Sequence, residues 1–337
     1  MKKLIFYFIS IAVFAGCEKV LIEKEIADDP VTNFEYLWKT VDEKYSFFEY
    51  KGIDWDQVYN SYRPLITPDL NRAQLFSVLK NMLNELKDGH VNLSASFDVS
   101  RYDFKFNAPE NFNFRLLQDH YIGWNYRITG PLINTIIVRD DRKIGYIRYA
   151  SFSQTVQSAD IDFVIAHLWN TDGIILDMRS NGGGTVNNIY RLGGRFADEE
   201  RFIYSSILKN GPGHEDFSEP ANVNMDPLGA RQYTRPVMLL TNRGCYSATS
   251  FFALAMKAFP HVTQVGDTTG GGLGAPAGFE LPNGWGFRFS VSRTFSPQGD
   301  NWENGVPPDV TVWMDPVHEL NGTDDIMEKA IELITNN

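Results

Sequence analysis

Residues 236–259 read PVMLLTNRGCYSATSFFALAMKAF, and this stretch gives the first indication of the fold. The apolar run at residues 237–240 predicts a buried strand, which the turn residues at 242–244 end. Apolar residues at helical spacing then predict a helix that starts after Ser247. Ser247 thus stands at a strand–turn–helix junction, where the helix N-terminus offers unpaired N–H groups and a partial positive charge. The hydroxyl of Ser247 or of Thr249 could cap the helix, or Ser247 could act as a nucleophile, with the oxyanion formed by its attack stabilised there.

The composition is that of a folded globular protein. The chain has 337 residues, of which 43% are hydrophobic and 22% are charged, as is usual for such proteins. A formal net charge of −11, without a long basic run, argues against nucleic acid as a partner. Cys17 and Cys245 are the two cysteines of the sequence, so we expect neither a disulfide framework nor a cysteine-rich metal site.

The N-terminal residues have the pattern of an export signal. Two lysines are followed by an apolar run and then by Ala-Gly-Cys at residues 15–17, and this run is too short to span a membrane. The segment resembles a bacterial lipoprotein signal, with VFAGC at residues 13–17 as the lipobox; an ordinary secretory signal is the alternative. The resemblance implies that residues 1–16 are removed and that Cys17 is acylated. The protein would then be held at the cell envelope, facing the periplasm or the outer surface, through its lipid only.

Three segments follow along the chain. Residues 17–32 are predicted to be a polar tether, and residues 33–90 a small helical N-terminal domain, because their apolar residues recur at helical spacing. In residues 91–337 strands alternate with helices, which predicts an α/β core. Within this core we expect a strand at residues 121–124, a long surface excursion at residues 205–235 and a hairpin that turns at Asn283-Gly284.

Two further features of the core suggest chemistry. The loop NGGG at residues 181–184 leaves a predicted buried strand and enters a helix, so its N–H groups can converge on an anion. It lacks the sequence of a phosphate loop or of a dinucleotide-binding loop, and it could also be only a flexible turn. A nucleophilic serine needs a base. Of the six histidines, His90 is the best placed, because it follows a predicted helix end beside Asp88 and Gly89.

Together these motifs resemble those of the carboxyl-terminal processing (tail-specific) serine peptidases. The segment GIILDMRSNGGG at residues 173–184 is similar to the family's Leu-Arg-x-Asn-x-Gly-Gly loop. The segment GCYSATS at residues 244–250 is similar to its Gly-Ser-Ala-Ser-Ala-Ser segment, whose middle serine, the nucleophile, corresponds to Ser247. Two more motifs match in order, VGDTTGGG at residues 265–272 and GVPPD at residues 305–309. The resemblance covers roughly residues 34–315.

The branch of the family is indicated by one departure from the pattern. Members with a serine–lysine dyad carry the lysine where this chain has Gly272. Lys257 lies about three turns along the helix of Ser247 and is expected to point away, so it cannot replace that lysine. The chain is instead similar to the tricorn protease branch, in which a histidine and a glutamate assist the serine.

In that branch the histidine corresponds to His90 and the glutamate to Glu303. Tricorn has a further serine immediately before the histidine, where this chain has Gly89. The coupling between Glu303 and His90 is therefore left open, and Asp88 is the alternative residue for orienting the imidazole.

The resemblance also implies the fold and the remaining parts of the site. We expect a crotonase- and ClpP-like spiral of βα units, without the PDZ domain that many tail-specific peptidases insert after the helical domain. Backbone N–H groups of Gly183 (or Gly182) and Ala248 would form the oxyanion hole, and no metal or organic cofactor is needed. The implied reaction is hydrolysis of peptide bonds in unfolded or C-terminal segments of proteins, with Ser247 as nucleophile and His90 as general base. The alternative is a catalytically inactive relative that binds peptides or apolar ligands.

Overall fold

The computed structural model describes residues 27–103 and 108–336. Cys17 and the predicted signal at residues 1–16 lie outside these ranges. The helices are α1 (Pro30–Lys44), α2 (Phe48–Lys51), α3 (Trp55–Tyr62), α4 (Arg72–Asn84), α5 (Phe114–Leu117), α6 (Ser158–Leu168), α7 (Asn187–Gly193), α8 (Ala248–Met256), α9 (Pro316–Leu320) and α10 (Asp325–Thr335). The strands are β1 (Asn92–Ser94), β2 (Arg127–Thr129), β3 (Leu132–Arg139), β4 (Arg142–Tyr149), β5 (Gly173–Asp177), β6 (Arg201–Leu208), β7 (Ala221–Met225), β8 (Val237–Thr241), β9 (Val262–Gly266), β10 (Pro276–Glu280), β11 (Gly286–Ser290), β12 (Ser292–Phe295) and β13 (Val310–Thr311). None of the helices in the described ranges combines the length and the apolar character that crossing a bilayer requires.

A seven-stranded sheet forms the centre of the fold, in the order β13-β9-β8-β5-β4-β3-β2. Neighbouring strands from β13 to β4 are parallel, whereas β3 and β2 are antiparallel to their neighbours. Every residue of β5 and β8 is buried, because one face of the sheet packs against α6, α7 and α8 and the other against α10. The C-terminal ends of β5, β8 and β9 meet at one edge, where open α/β sheets bind their ligands.

The N-terminal helices share a hydrophobic core with a hairpin from near the other end of the chain. Helices α1, α3 and α4 pack against β10 and β11, and Trp285 and Phe287 are buried among them. Asn71 and Gln74 begin α4 with a reciprocal capping box. After α4 the chain reverses through Lys87, whose φ is 47°, and then pairs with β11 through β1. This pairing carries the turn at residues 88–90 to the edge of the core.

The mixed α/β architecture and the hairpin that turns at Asn283-Gly284 are confirmed, but two local expectations are wrong. Residues 205–235 are not an excursion without structure, because β6 and β7 form a sheet with β12 in the order β12-β6-β7. Both strands are partly exposed and contain polar residues, so the sequence lacked the apolar pattern that would have predicted them. The expected strand at residues 121–124 overlaps a π-helical turn, Gln118–Ile122. A short apolar run cannot distinguish strand from helix by periodicity.

Candidate active site

Ser247 lies in a sharp turn between β8 and α8. Its φ of 54° and ψ of −123° are unusual for a residue with a side chain, and such strained conformations cluster at functional sites. The Ser247 side chain makes no capping hydrogen bond to α8, so the interpretation of Ser247 as a helix cap is wrong. Instead, Ser247 Oγ lies 2.9 Å from His90 Nε2. This is the hydrogen-bond distance that a nucleophile and its general base require.

Two loops hold the turn that carries Ser247. Its N–H donates to the carbonyl of Gly271 over 2.9 Å, and the N–H of Tyr246 donates to the carbonyl of Asn181 over 3.1 Å. Asn181 follows β5 and Gly271 follows β9, so the strands on either side of β8 each supply one support. The strained conformation of Ser247 is therefore maintained by hydrogen bonds from both sides.

A buried ion-pair network anchors the loop after β5. Arg179 Nη2 lies 2.8 Å from Asp177 Oδ2, and Arg179 Nη1 lies 2.8 Å from Asp324 Oδ2, with all three side chains inaccessible to solvent. Asp324 also caps α10, because its carboxylate accepts the N–H groups of Ile326 and Met327. Removing one partner from such a network leaves an unpaired buried charge. The network therefore fixes the start of the loop at residues 179–184 against α10.

Asp88 fixes the backbone of His90 and makes no hydrogen bond to its ring. Asp88 Oδ1 accepts the N–H of His90 over 2.8 Å. Asp88 Oδ2 accepts the hydroxyls of Tyr45 and Ser290, each over 3.1 Å. The hydroxyl of Tyr246 also donates to Asp88 Oδ1, over 3.4 Å. The Asp88 side chain is buried, and its oxygens thus accept hydrogen bonds from four separate parts of the chain. Asp88 thus holds the turn at residues 88–90 in place.

The imidazole of His90 is in an environment that keeps it neutral. Burial lowers the pKa of His90, and the positive charge of Arg288 lowers it further, while Asp88 acts in the opposite direction. The ring packs against Tyr246, with 4.9 Å between the ring centroids. A neutral imidazole can accept the proton of a serine hydroxyl, so the protonation state suits a general base.

Glu303 and His90 both interact with the backbone of Gly274. Glu303 Oε2 accepts the N–H of Gly274 over 2.8 Å, and the backbone of Gly274 raises the pKa of His90. His90 Nδ1 is buried and makes no hydrogen bond of good geometry with the described residues. Burial raises the pKa of Glu303 to about 8, and the negative charge of Asp88 raises it too. Neither carboxylate considered for orienting the imidazole therefore hydrogen-bonds it directly.

The candidate oxyanion donors differ in their surroundings. Ala248 is the first residue of α8, and its N–H makes no hydrogen bond to the described part of the chain. Gly183 lies against it, because a Cβ on Gly183 would stand 3.0 Å from Ala248 N. The N–H of Gly183 donates to Asn181 Oδ1 over 3.0 Å, so this donor is engaged in the structure. Gly182 is exposed, and no atom lies within 4 Å of the place of its Cβ.

The structure leaves no room for a lysine side chain at position 272. Gly272 has a φ of +74°, and a Cβ on it would lie 2.5 Å from Cζ of Tyr246. The tyrosine ring therefore occupies the space that a side chain at position 272 would need. Lys257 is also unsuitable as a base, because its Nζ is paired with Asp309 at 2.5 Å.

Sequence reasoning missed three residues that shape the site, namely Tyr246, Gly274 and Ser290. Tyr246 was detectable in principle, because it directly precedes Ser247 in the turn. Gly274 and Ser290 carry no local signal. They reach the site through the loop after β9 and through β11, which only the strand pairing determines.

Comparisons with known protein sequences identify the family. Residues 143–312, half of the chain, match the profile of Peptidase family S41, and residues 27–84 match that of the Tricorn protease C1 domain. Carboxy-terminal processing protease CtpA of Bacillus subtilis is 27% identical over 187 residues, which are 55% of this chain and 38% of that protein. The carboxyl-terminal-processing protease of Synechocystis sp. is 27% identical over 207 residues, or 58% of this chain and 45% of that protein. The chain thus spans less than half the length of these two curated relatives.

Solved structures agree with this assignment. A candidate peptidase from Parabacteroides merdae is 40% identical, with a TM-score of 0.86 and coverage of 91% of this chain and 97% of that one. The photosystem II D1 C-terminal processing protease is 19% identical, with a TM-score of 0.56 and coverage of 89% and 97%. The tricorn protease is 16% identical, with a TM-score of 0.54 and coverage of 92% and 37%. The last two structures show the fold alone. The match over residues 143–312, half of the chain, shows that the chain belongs to peptidase family S41.

Proposed function

We propose that this chain is a serine peptidase that hydrolyses peptide bonds in unfolded or C-terminal segments of proteins, with Ser247 as nucleophile and His90 as general base. The observation that carries the proposal is the 2.9 Å distance between Ser247 Oγ and His90 Nε2. These atoms belong to residues 157 positions apart in the sequence. A family assignment alone does not identify the reacting groups, whereas a buried imidazole against a strained serine has the geometry that acyl transfer needs.

The first half of the reaction forms an acyl-enzyme. His90 Nε2 accepts the proton of the Ser247 hydroxyl as Oγ attacks the peptide carbonyl carbon. The carbonyl oxygen becomes an oxyanion, which the N–H of Ala248 stabilises at the positive end of α8. The N–H of Gly183 is the second donor, released from Asn181 as the oxyanion forms. The protonated His90 then transfers its proton to the leaving amine, and the peptide bond breaks.

The second half repeats these steps with water. His90 accepts a proton from a water molecule, and the resulting hydroxide attacks the acyl carbon. Collapse of the second tetrahedral intermediate returns the proton to Ser247 and releases the carboxylic acid product. Every step uses residues of this chain and water, and the proton stays between His90 and the reacting atoms throughout.

Asp88 and Glu303 act as positioning residues in this scheme. Asp88 accepts the backbone N–H of His90, and Glu303 accepts the N–H of Gly274, whose backbone also interacts with His90. With a pKa near 8, the Glu303 carboxyl group is mainly protonated at neutral pH. It therefore supports the imidazole by fixing the position of Gly274, and it adds little negative charge.

A fluorophosphonate probe tests the activated serine directly. We expect the probe to form an adduct on Ser247, detected by mass spectrometry, and Ser247→Ala to abolish it. We expect His90→Ala to reduce both labelling and cleavage of an unfolded, fluorescently labelled protein by at least about 10³-fold, with little further loss in the double variant. His318→Ala is the matched control, because His318 is exposed and pairs with Asp325.

The outcomes separate this proposal from its alternative. Turnover that survives in either Ser247→Ala or His90→Ala would refute the assignment of these roles. A folded protein that forms no adduct and cleaves nothing would instead favour the inactive relative that binds peptides or apolar ligands. Thermal melts of each variant exclude loss of folding as the cause.

The lipid anchor is a further part of the proposed function. Its support is the VFAGC sequence at residues 13–17. An acylated Cys17 with residues 17–32 as tether would hold the catalytic core at the surface of a membrane in the cell envelope. Metabolic labelling with a palmitate analogue tests this, since Cys17→Ala would lose the label and leave the membrane fraction. An unlabelled wild-type chain would contradict it.

A further inference from the structure

A groove of about 880 Å³ lies over the exposed face of the small sheet β1-β11-β10. Gly89, the residue before His90, lines it. Asn92, at the start of β1, also lines the groove. Since Asn92 is two residues after His90, their Cα atoms are at most about 7 Å apart. The groove is therefore close enough to hold the residues that flank a peptide bond under attack by Ser247.

The floor of the groove is open because glycines occupy its central positions. Alternate residues of β11, Phe287 and Phe289, are buried against the N-terminal helices, which leaves Gly286 and Arg288 on the groove side. Gly286, and Gly278 of β10, have no atom within 4 Å of the place of a Cβ. A peptide backbone can approach such a floor closely.

Two arginines, Arg288 and Arg101, and one glutamate, Glu280, are the charged residues that line the groove in the described part of the chain, so the net charge of its lining is positive. Arg288 stands opposite Asn92 on β1 and Gly278 on β10, and its Nε donates to Asn92 Oδ1 over 2.7 Å. Both arginines are exposed and line the groove, and neither forms an ion pair with a residue in the described ranges. In a chain with a net charge of −11, two such arginines form a local site for an anion.

We propose that this groove binds an extended peptide segment and that Arg288 and Arg101 bind a carboxylate carried by that segment. A guanidinium offers paired N–H donors that match a carboxylate, and the bond to Asn92 orients Arg288 for this contact. The carboxylate is that of a chain terminus or of an acidic side chain, within a few residues of the cleaved bond. This inference rests on the proposed function, because it assigns the substrate class of the same site.

Binding to the Ser247→Ala protein tests the groove without turnover. Three fluorescent peptides of one sequence are compared by anisotropy: one with a free C-terminal carboxyl group, one amidated, and one amidated with aspartate as its last residue. We expect at least one carboxylate peptide to bind about tenfold more tightly than the neutral amide. Preference for the free terminus alone identifies C-terminal recognition, and equal preference for both identifies recognition of any carboxylate. Equal binding of all three peptides overturns the proposal.

Variants locate the binding groups. We expect Arg288→Gln and Arg101→Gln to reduce the preference for a carboxylate to about twofold or less, and Arg127→Gln, at an exposed arginine of β2, to keep it. Gly278→Leu fills the floor of the groove without straining the fold, since open space surrounds its Cβ position. It should weaken binding of every peptide about tenfold at an unchanged melting temperature.

Fluorophosphonate labelling of proteins that retain Ser247 separates the two hypotheses. Labelling that fails in the wild-type chain refutes the proposed reaction, whatever the peptides do. Labelling that persists refutes the groove inference alone if both arginine variants keep the carboxylate preference and Gly278→Leu keeps the affinity for every peptide.

Discussion

Replacement of Glu303 by glutamine should make the protein more stable at neutral pH. Glu303 is buried, with 3% of its surface exposed, and burial raises its pKa to about 8. Ionising it in the folded chain is therefore costly, because its side chain accepts one N–H group, that of Gly274, and lies near the charge of Asp88. Glutamine keeps an oxygen that can accept the same N–H and carries no charge.

The magnitude follows from the difference between the folded and unfolded pKa values. The unfolded chain loses the Glu303 proton near pH 4.5, whereas the folded chain keeps it up to about pH 8. Between these values the folded state binds more protons, so the free energy of unfolding falls as pH rises, and the fall ends above pH 8. One pKa unit corresponds to about 1.4 kcal/mol, so Glu303 should cost about 3 kcal/mol between roughly pH 5 and pH 7.

Urea denaturation from pH 5 to pH 8 measures this effect. The difference in unfolding free energy between Glu303→Gln and the wild type should grow by about 3 kcal/mol from pH 5 to pH 7, in favour of the variant. Glu280→Gln, at an exposed glutamate, controls for the loss of one charge. A constant difference across this range would refute the reasoning. Glu303→Gln should also retain Ser247 labelling within a few-fold, whereas Glu303→Ala, which leaves the N–H of Gly274 without its acceptor, should not.

Two other predictions concern the loop after β5. Gly183→Ala should lower turnover by about 10²-fold or more, because at a φ of +91° its Cβ would lie 2.5 Å from the carbonyl oxygen of Tyr246 and 3.0 Å from Ala248 N, and so displace both oxyanion donors. Gly182→Ala, with open space around its Cβ, should keep turnover, and equal losses would contradict an oxyanion site there. Asp324→Ala should lower the free energy of unfolding by about 3–5 kcal/mol, since it leaves Arg179 short of a buried partner. Urea denaturation checks this against Glu332→Ala on the exposed side of α10, and equal losses in both variants would contradict it.

The sequence predicted those features that depend on neighbouring residues. Periodicity indicated β8, α8 and the helices of the N-terminal segment, and the pair Asn283-Gly284 indicated the hairpin turn. The motifs predicted that Ser247 and Gly183 each lie in a loop between a buried strand and a helix. These inferences succeed because a strand, a turn or a helix is determined largely by the spacing of apolar residues and by the few residues that tolerate unusual backbone angles.

Local patterns failed where the environment of a segment decides its conformation. The strands β6 and β7 are polar and half exposed. They form because β12 pairs with β6, for example Ser292 with Leu208 and Phe295 with Ser205, far apart in the sequence. Packing likewise determines the π-helical turn at Gln118–Ile122, because its last residue, Ile122, is buried in the core on one face of the seven-stranded sheet. No short-range rule distinguishes such segments from loops or strands.

The sequence by itself therefore determined the secondary structure around Ser247, the motifs of the family and the residue types available for chemistry. The tertiary structure decided how they are connected: His90 reaches Ser247, Asp88 holds the backbone of His90, and Glu303 accepts the N–H of Gly274. The tertiary structure also places the Tyr246 ring in the space that a side chain at position 272 would need. The physical reason is that these contacts join residues far apart in sequence, and their distances depend on strand order and on side chains competing for the same buried space.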